Sequence, residues 1–305
     1  MRISSYTIAM KILGKEWNER EVLLADGAWG TEMLKLGLVQ GDPPELWNVE
    51  HPDRVMSIAR GYLDAGSIFI LTNTFGGNPL TLERHGLADR AYELNKLGAQ
   101  LTGQTVENRA IVVGDMGPTG KMLVMGEVTE QQLYEAYALQ AMALKDGGAE
   151  WILVETMSDV NEMGIAVRAA VESTGLPVIA SMTYDPTTNG PRTMMGNTVE
   201  ECVKRAEKEG ASIIGANCGT GIENYIPVAR EIRERTKLPV WIKANAGIPE
   251  LIDGKTVYKM TPEIYASYVP ELIEIGVNVI GGCCGTNPDF IREIKKIIDR
   301  YNEKL

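Results

Sequence analysis

The sequence predicts a (β/α)8 barrel, the TIM barrel fold. Short apolar runs rich in β-branched residues alternate with longer helical patterns eight times along the chain. The runs are continuously apolar, which is typical of parallel strands that are covered on both faces. Eight such units in 305 residues match the usual size of this fold. The alternative is a doubly wound sheet, which usually carries Gly-x-Gly-x-x-Gly after its first strand, and that motif is absent here.

Eight segments are the strand candidates, and each is short and bounded by turn residues. In chain order they are residues 22–25, 67–72, 110–114, 151–155, 177–183, 211–217, 239–244 and 277–281. The clearest helical patterns between them are residues 129–147 and 159–173. Several glycines stand just before strand candidates, where left-handed residues end helices. They are Gly66, Gly148, Gly175, Gly210 and Gly276.

Domain organisation follows from the lack of any linker or low-complexity segment. We expect one barrel domain over residues 1–305, with residues 1–21 as an N-terminal extension. The apolar stretch 6–13 is short and contains Lys11, so it does not resemble a signal peptide. No apolar run approaches the length of a membrane span.

Composition limits the classes of partner. The formal net charge is −11 and the pI is about 4.9, and no basic patch is visible. Nucleic acids and anionic membranes are therefore unlikely partners on charge grounds. We expect a cytoplasmic protein that acts on a small molecule.

Three of the four cysteines follow strand candidates. Cys218 ends the sixth run, and Cys283 and Cys284 follow the eighth. Thiolates are soft ligands that suit zinc, and a zinc with three protein ligands keeps one position open for chemistry. The alternatives are buried small hydrophobic residues, a disulfide between Cys283 and Cys284, or a disulfide of either with Cys218. Cys202 lies in a helical pattern, and we expect it to serve helix packing.

The barrel brings strand ends together. The carboxyl ends of the strands form one face, where barrel enzymes hold their active sites. The sixth and eighth strands flank the seventh, so Cys218, Asn245 and the pair Cys283 and Cys284 should converge. The other polar strand-end residues are Asp26, Asn73, Asp115 and Glu155.

These strand ends carry motifs that resemble the homocysteine S-methyltransferase family. The likeness is greatest to the homocysteine-binding zinc domain of cobalamin-dependent methionine synthase, and it runs from about residue 22 to the helical pattern 288–300. The motifs are Asp26-Gly-Ala-Trp-Gly-Thr, Leu71-Thr-Asn-Thr-Phe-Gly, Gly114-Asp-Met-Gly-Pro-Thr-Gly, Gly-Ala-Asn-Cys218, Asn245-Ala-Gly and Gly-Gly-Cys283-Cys284-Gly-Thr.

The chain also departs from the family pattern. Trp29 stands where the family often has a smaller residue, and Lys243 and Ala244 precede Asn245 where a proline is usual. Gly219 follows Cys218 in place of the more usual serine. These differences concern substrate binding and leave the three cysteines unchanged. His51 and His85 lie outside any cobalamin signature, and we expect them to be structural or exposed.

The resemblance implies one Zn²⁺ per chain, bound by Cys218, Cys283 and Cys284. Three thiolates give the zinc site a net charge of −1, and a substrate thiol that enters the open position binds as a thiolate. The sulfur then stays nucleophilic at neutral pH, unlike a free thiol with a pKa of about 8.5. Asn245 would hold the fourth position until the substrate arrives.

The implied acceptor is L-homocysteine, whose charged groups also need partners. Asp26 and Glu155 suit its ammonium group, although Asp26 could instead cap a turn. Backbone N–H groups at Gly27 and Ala28 suit its carboxylate. Asn73 and Asp115 are assigned to the donor side or to support of these groups.

The methyl donor is the open question. We expect a methylated corrinoid on a separate protein, with free methylcobalamin as a slow substitute. The alternatives are S-methylmethionine or betaine as donor, a corrinoid-linked methyltransferase of an anaerobic demethylation pathway, and a zinc- or thiol-binding barrel without turnover. An aldolase or phosphate-binding barrel fits less well, because cysteines occupy the glycine-rich end of the eighth strand.

Overall fold

The computed structural model describes residues 10–252 and 255–305. All eight predicted strands are present, and they form one parallel sheet surrounded by helices. The predicted α/β barrel is therefore confirmed. The strands of the barrel are β3 (Leu23–Leu24), β4 (Phe69–Leu71), β5 (Ile111–Met116), β6 (Trp151–Met157), β7 (Val178–Met182), β8 (Ile213–Cys218), β9 (Val240–Ala244) and β12 (Val279–Gly282).

Two short hairpins lie outside the barrel sheet, and the sequence analysis did not predict them. They are β1 (Lys11–Ile12) with β2 (Lys15–Glu16), and β10 (Glu250–Ile252) with β11 (Lys255–Val257). Both are only two or three residues per strand. Strands this short carry too little apolar alternation to be recognised from sequence.

The sheet closes on itself through its first two strands. Its order is β3-β12-β9-β8-β7-β6-β5-β4, and a parallel bridge joins Ala25 to Phe69. The Ile68 N–H also donates to the Leu24 carbonyl over 2.8 Å. The carboxyl ends of all eight strands consequently meet at one face.

The strand boundaries differ from the predicted ones in an informative way. β5 and β6 extend beyond the predicted ends, to Met116 and Met157. Asp115 is thus a residue of the strand and not of the loop that follows, whereas Glu155 lies within its predicted strand. Aspartate is a poor strand former, which is why the predicted third strand stopped at Gly114.

Helices fill the outer layer, as the sequence pattern indicated. The segments predicted over residues 129–147 and 159–173 are helices α6 and α7, and the glycines expected before strands all have positive φ values between 68° and 101°. The helices are α1 (Gly30–Lys35), α2 (Trp47–Glu50), α3 (Pro52–Ala65), α4 (Pro79–Leu82), α5 (Ala91–Val106), α6 (Glu130–Asp146), α7 (Val160–Thr174), α8 (Val199–Lys208), α9 (Ile222–Arg235), α10 (Pro262–Ala266), α11 (Val269–Ile275) and α12 (Pro288–Asn302). Four short 3₁₀ turns complete the described connections, at Pro44–Leu46, Glu83–His85, Ala88–Arg90 and Leu123–Met125.

The barrel interior is an apolar cluster built from alternate residues of the strands. Phe69 lies at its centre, with its ring edge-on to Trp151 at 5.3 Å and to Trp241 at 5.4 Å between centroids. The described part of the N-terminal extension adds Met10, Ile12 and Trp17 to the packing around this cluster. The Asn278 side chain, just before β12, donates to the Glu19 carbonyl over 2.9 Å, so this segment lies at the amino end of the barrel.

The helices of the outer layer are not membrane spans. Across the described ranges, every helix is too short or too polar to cross a membrane.

Replacing Trp241 should test the interior packing. Trp241 is fully buried and contacts Phe69, so Trp241→Ala should lower the free energy of unfolding by about 3–5 kcal/mol. Met142 on α6 is 42% exposed, and Met142→Ala should change it by less than about 0.5 kcal/mol. Urea denaturation followed by circular dichroism measures both values. Equal effects of the two substitutions would contradict this account of the interior.

Candidate active site

A polar layer lies directly above the apolar interior of the barrel. Side chains alternate along a strand, so the next inward position after an apolar one is two residues further on. In four strands that next position is polar, in β8 a polar residue follows one step later, after Gly215, and all five of these residues are buried. They are Asp115, Glu155, Ser181, Asn217 and Lys243.

Three cysteines converge at one side of this layer. The Cys218 Sγ lies 3.6 Å from the Cys283 Sγ and 4.0 Å from the Cys284 Sγ, and all three sulfurs are within 4.8 Å of one another. The residues are free thiols, so the disulfides considered from sequence are not formed. A tetrahedral zinc with Zn–S bonds of about 2.3 Å would hold its sulfurs roughly 3.8 Å apart. The observed spacing fits that geometry.

The backbone at Cys218 aims its thiol toward the other two. Cys218 has a φ of 68°, in the left-handed region that costs a non-glycine residue roughly 1–3 kcal/mol. It ends β8, and its carbonyl accepts from the Asn245 N–H over 3.0 Å. This conformation turns the side chain out of the regular strand alternation.

Cys283 and Cys284 avoid pointing to opposite faces because the strand stops first. β12 ends at Gly282, and the Thr286 N–H donates to the Cys283 carbonyl over 3.1 Å in a turn. Gly282 is required here for space, since a Cβ would lie 2.4 Å from the Thr286 Oγ1. Among Gly281, Gly282 and Gly285, which flank the cysteine pair, Gly285 alone has a positive φ, of 84°.

Without a cation, three adjacent thiols cannot all ionise, because their negative charges repel. Hydrogen bonds with Cys283 and Cys284, together with burial, raise the pKa of Cys218 well above its usual range. Hydrogen bonds from the other two thiols lower the pKa of Cys284 to about 3. A divalent cation would offset this repulsion and allow all three sulfurs to be thiolates.

Asn245 carries a polar atom that has no partner. Its Nδ2 donates to the Gly219 carbonyl over 2.6 Å, while its buried Oδ1 has no hydrogen bond within the described residues. An unsatisfied acceptor beside a soft donor set is the kind of atom that could fill a fourth metal position. This agrees with the role expected for Asn245 from sequence, which stays a prediction.

Asn217 organises the base of the cysteine cluster, and the sequence analysis did not select it. It is fully buried, and its Oδ1 accepts from the Thr156 N–H over 2.9 Å and from the Ser181 Oγ over 2.7 Å. Its Nδ2 donates to the Thr156 Oγ1 over 2.7 Å and lies 3.9 Å from the Cys283 Sγ. The signal for it was a buried polar residue inside an apolar run, one position before Cys218.

Asp26 is fully buried, and protein groups occupy both of its carboxylate oxygens. Its Oδ1 pairs with the Lys243 Nζ over 2.5 Å, and its Oδ2 accepts from the Trp29 Nε1 over 2.9 Å and from the Leu71 N–H over 2.8 Å. The sequence analysis placed Asp26 on the substrate ammonium. In the structure, the ammonium group beside Asp26 belongs to Lys243.

Lys243 is the second residue that sequence reasoning passed over. It is 2% exposed, and although burial alone lowers the pKa of a lysine, Asp26 and Glu155 raise the pKa of Lys243 above its usual value. Lys243 is therefore a permanent cation in the floor of the site. The signal for it was a charged residue in a strand predicted to be buried on both faces, where a counter-ion is required.

Glu155 and Asp115 each present a buried oxygen without a partner. The Glu155 Oε2 and the Asp115 Oδ1 make no hydrogen bond within the described part of the chain. Burial raises the pKa of Glu155 to about 8, with Lys243 acting in the opposite sense. Burial and the neighbouring Glu155 raise the pKa of Asp115 well above its usual range. Both groups would gain from a positively charged ligand.

The remaining predicted substrate residues lie beside this floor. The Ala28 N–H already donates to the Thr286 Oγ1 over 3.2 Å, and Gly27 lies against Tyr62 and Thr286. The Asn73 Nδ2 donates to the Pro44 carbonyl over 2.8 Å and to the Asn48 Oδ1 over 3.0 Å. Asn73 thus ties the loop after β4 to neighbouring segments.

One cavity of about 290 Å³ joins these groups, close to the smallest ligand sites, which are roughly 300 Å³. Its lining brings together most of the residues predicted from sequence, while Asp26 and Asn245 lie outside it. The predicted residues in the lining are Gly27, Ala28, Asn73, Asp115, Glu155, Cys218, Cys283 and Cys284. Lys243 and Trp29 line it as well.

The other cysteine and the two histidines lie away from the site. Cys202 is 2% exposed within α8, as expected for helix packing. His51 stacks edge-on against Trp47 at 5.1 Å between ring centroids, and His85 is exposed.

Comparison with known proteins settles the family. The family model described as homocysteine S-methyltransferase matches residues 23–298. The chain belongs to the homocysteine S-methyltransferase family. The resemblance stated from the strand-end motifs is confirmed, and this is a family of methyltransferase enzymes.

Two curated relatives of this chain are methionine synthases. The one from Mycobacterium leprae is 31% identical over 302 residues, and the one from Mycobacterium tuberculosis is 31% identical over 293 residues. The alignments cover 93% and 90% of this chain but only 25% and 24% of those proteins. The chain therefore spans about a quarter of the length of these relatives.

Solved structures share the fold of this family member. The homocysteine methyltransferase MmuM from Escherichia coli, in its metallated form, has a TM-score of 0.75 at 22% identity, covering 91% of this chain and 96% of that chain. The carboxyl transferase domain of Rhizobium etli pyruvate carboxylase has a TM-score of 0.53 at 16% identity, covering 94% of this chain and 48% of that chain. Both likenesses concern the barrel architecture.

Glu155→Gln should change how stability depends on pH. The folded protein keeps a proton on Glu155 up to a pKa of about 8, whereas the unfolded chain releases it near 4.5. The metal-free protein should therefore lose stability as pH rises from about 4.5 to about 8, and the neutral glutamine should not share that loss.

The measurement is the thermal midpoint of wild type and variant at about pH 5 and about pH 8.5. The variant should gain relative to wild type at the higher pH. The exposed Glu234 provides the control, since Glu234→Gln should follow wild type at both values. Parallel curves for all three proteins would contradict the buried, protonated state of Glu155.

Proposed function

We propose that this chain is the acceptor barrel of a zinc-dependent methyltransferase that methylates the thiol of L-homocysteine to give methionine. The observation that carries the proposal is the group of three cysteine sulfurs with the spacing of a tetrahedral zinc site. Membership of the homocysteine S-methyltransferase family and the similarity to methionine synthases support the choice of acceptor.

The proposed zinc ligands are Cys218, Cys283 and Cys284, with one ion per chain. Asn245 is placed to supply its unpartnered Oδ1 at the fourth position when no substrate is present. Zinc in this site would supply a thiolate at neutral pH, by removing the proton of a substrate thiol that enters the fourth position. The structurally similar homocysteine methyltransferase MmuM from Escherichia coli has a metallated form.

The acids of the polar layer are proposed to bind the ammonium group of homocysteine. Glu155 Oε2 and Asp115 Oδ1 are buried acceptors without partners, and both line the cavity that holds the cysteines. A positive ligand would lower the pKa of each acid and satisfy its free oxygen. Asp26 supports this arrangement indirectly, because it fixes Lys243 and Trp29.

The transfer itself needs no protein nucleophile. The substrate sulfur forms a bond to the methyl carbon as the bond between methyl and donor breaks, and the donor leaves with that electron pair. The thiol proton departs to solvent when the sulfur binds. The buried floor holds the substrate still and excludes water, so that the sulfur meets the methyl group in a reactive orientation.

The rim of the site suits a large methyl donor. The segments that follow β3, β4, β5, β7 and β9 carry exposed apolar side chains, which we call the apolar rim. They are Val39, Phe75, Val124, Met125, Met194, Ile248 and Leu251. Phe75 also lines the cavity. Exposed apolar groups that follow the carboxyl ends of the strands are typical of a protein contact surface. We propose that a methylated corrinoid protein docks here as the donor and leaves after each turnover.

The cysteine assignment predicts the metal content of variants. Wild type should bind one zinc, and Cys218→Ala, Cys283→Ala or Cys284→Ala should weaken zinc retention and abolish methyl transfer, because each removes one of three thiolates. The barrel should still fold, since its interior is formed without these residues. Elemental analysis after dialysis against a chelator measures the zinc. Cys202→Ala is the matched control and should behave as wild type.

Zinc K-edge absorption gives a second readout of the same assignment. The shell should change from three sulfurs and one lighter atom to four sulfurs when homocysteine is added. Full activity in Cys218→Ala, or an unchanged shell at saturating homocysteine, would show that the sulfurs are not the acceptor site.

The donor proposal predicts that substitutions in the apolar rim slow methyl transfer from one donor only. Val124→Asp and Met125→Asp should slow transfer from a methylated corrinoid protein by about tenfold or more, because burying a new charge in the contact is costly. Transfer from free methylcobalamin should be slow in wild type and unchanged in the variants. Met142→Asp, on α6 away from the rim, is the control.

Steady-state methionine formation measures these rates, and S-methylmethionine and betaine should be assayed alongside. Rapid turnover with either of these small donors, together with none from any methylated corrinoid, would assign the chain to a different donor.

A further inference from the structure

The floor of the cavity contains a cation that the family motifs do not include. Lys243 lines the cavity with Glu155 and Asp115, and its side chain is 2% exposed. Buried lysines are rare in proteins, and each needs a counter-ion. Here Asp26 supplies it, with Nζ and Oδ1 separated by 2.5 Å.

The hydrogen bonding of Lys243 is incomplete. An ammonium group has three N–H donors, and one of them is used by Asp26. Within the described residues, no second acceptor for the Lys243 Nζ is present. The Nζ also lies 6.0 Å from the centroid of the Trp241 ring, so two N–H donors of a cation that lines the cavity have no hydrogen-bond acceptor among the described residues.

The acids of the floor lack hydrogen-bond donors, whereas Lys243 lacks acceptors. Glu155 and Asp115 each carry a buried oxygen without a donor. A ligand that satisfies the whole floor must bring both a positive group for the acids and a negative group for the lysine. The zwitterionic head of an α-amino acid has both, attached to one carbon.

Of the two backbone donors that were expected to bind a carboxylate, at Gly27 and Ala28, the second is occupied. The Ala28 N–H donates to the Thr286 Oγ1, and Thr286 in turn donates to the Cys283 carbonyl over 2.8 Å. Releasing that N–H would disturb the turn that positions the cysteines. Lys243 offers a carboxylate partner without such a cost.

We propose that Lys243 is a specificity-determining residue that binds the α-carboxylate of the acceptor thiol, while Glu155 and Asp115 bind its ammonium group. This inference rests on the proposed function and adds a preference for a thiol with an intact amino-acid head. Asp26 then acts as a positioning residue, because it holds the Lys243 side chain through a buried ion pair.

Two truncated thiols test the carboxylate and the ammonium group of the amino acid separately. The molecule 3-aminopropane-1-thiol lacks the carboxylate of homocysteine, and 4-mercaptobutanoate lacks its ammonium group. The zinc-loaded full chain is titrated with each thiol and with L-homocysteine, and calorimetry gives the dissociation constants. Wild type should prefer homocysteine to 3-aminopropane-1-thiol by about 10- to 100-fold, the usual effect of a hydrogen bond to a charged group.

Lys243→Met should remove this preference. Homocysteine should bind the variant as weakly as 3-aminopropane-1-thiol, and the constant for 3-aminopropane-1-thiol should stay at its wild-type value. Glu155→Gln should show the converse, with loss of the preference over 4-mercaptobutanoate. Lys208→Met, at an exposed position on α8, is the control and should match wild type.

The unpaired Asp26 could prevent Lys243→Met from folding. The double variant Asp26→Asn with Lys243→Met removes both charges, and the same comparison of thiols applies to it. If a Lys243 variant weakens both thiols equally, or keeps the wild-type preference, the carboxylate site is overturned. If wild type binds homocysteine and 3-aminopropane-1-thiol equally, only this inference fails. If zinc-loaded wild type binds no homocysteine, the proposed function fails with it.

Discussion

The register between three neighbouring strands is the constraint on which the site depends. Ala244 at the end of β9 pairs with Cys218 of β8 on one side and with Gly282 of β12 on the other. This pairing sets the last residues of the three strands at one height. A shift of one residue in either ladder would turn the cysteines to the other face of the sheet. The closed barrel prevents such a shift, since every strand has a neighbour on each side.

The second layer of organisation is electrostatic. Isolated charges are expensive in a buried site, and the floor contains several ionisable groups. Lys243 and Asp26 offset each other, and burial raises the pKa of the free acids Glu155 and Asp115. A positive ligand would change that state, so substrate binding and the charge of the floor are coupled. Under the proposed function, that positive ligand is the ammonium group of the acceptor.

Much of the fold could be predicted from sequence, because buried parallel strands leave continuous apolar runs. The meeting of Cys218, Cys283 and Cys284 also followed, since strand order alone brings those ends together. The ion pair between Asp26 and Lys243 could not be predicted in the same way, because it depends on how far the two side chains reach inside the barrel. A stricter use of alternation would have helped. Trp241 faces inward, so Lys243, two residues on, must do so as well.

The site divides its work between rigid strands and variable loops. The sulfurs and the buried charges belong to strand ends, whose backbone is fixed by hydrogen bonds on both sides, whereas the exposed apolar groups of the rim belong to loops. A metal site tolerates little displacement of its ligands, while a contact surface for a large donor can vary without altering the ligand geometry. Under the proposed function, one barrel would therefore keep the same thiol site while changes in its loops suit different methyl donors.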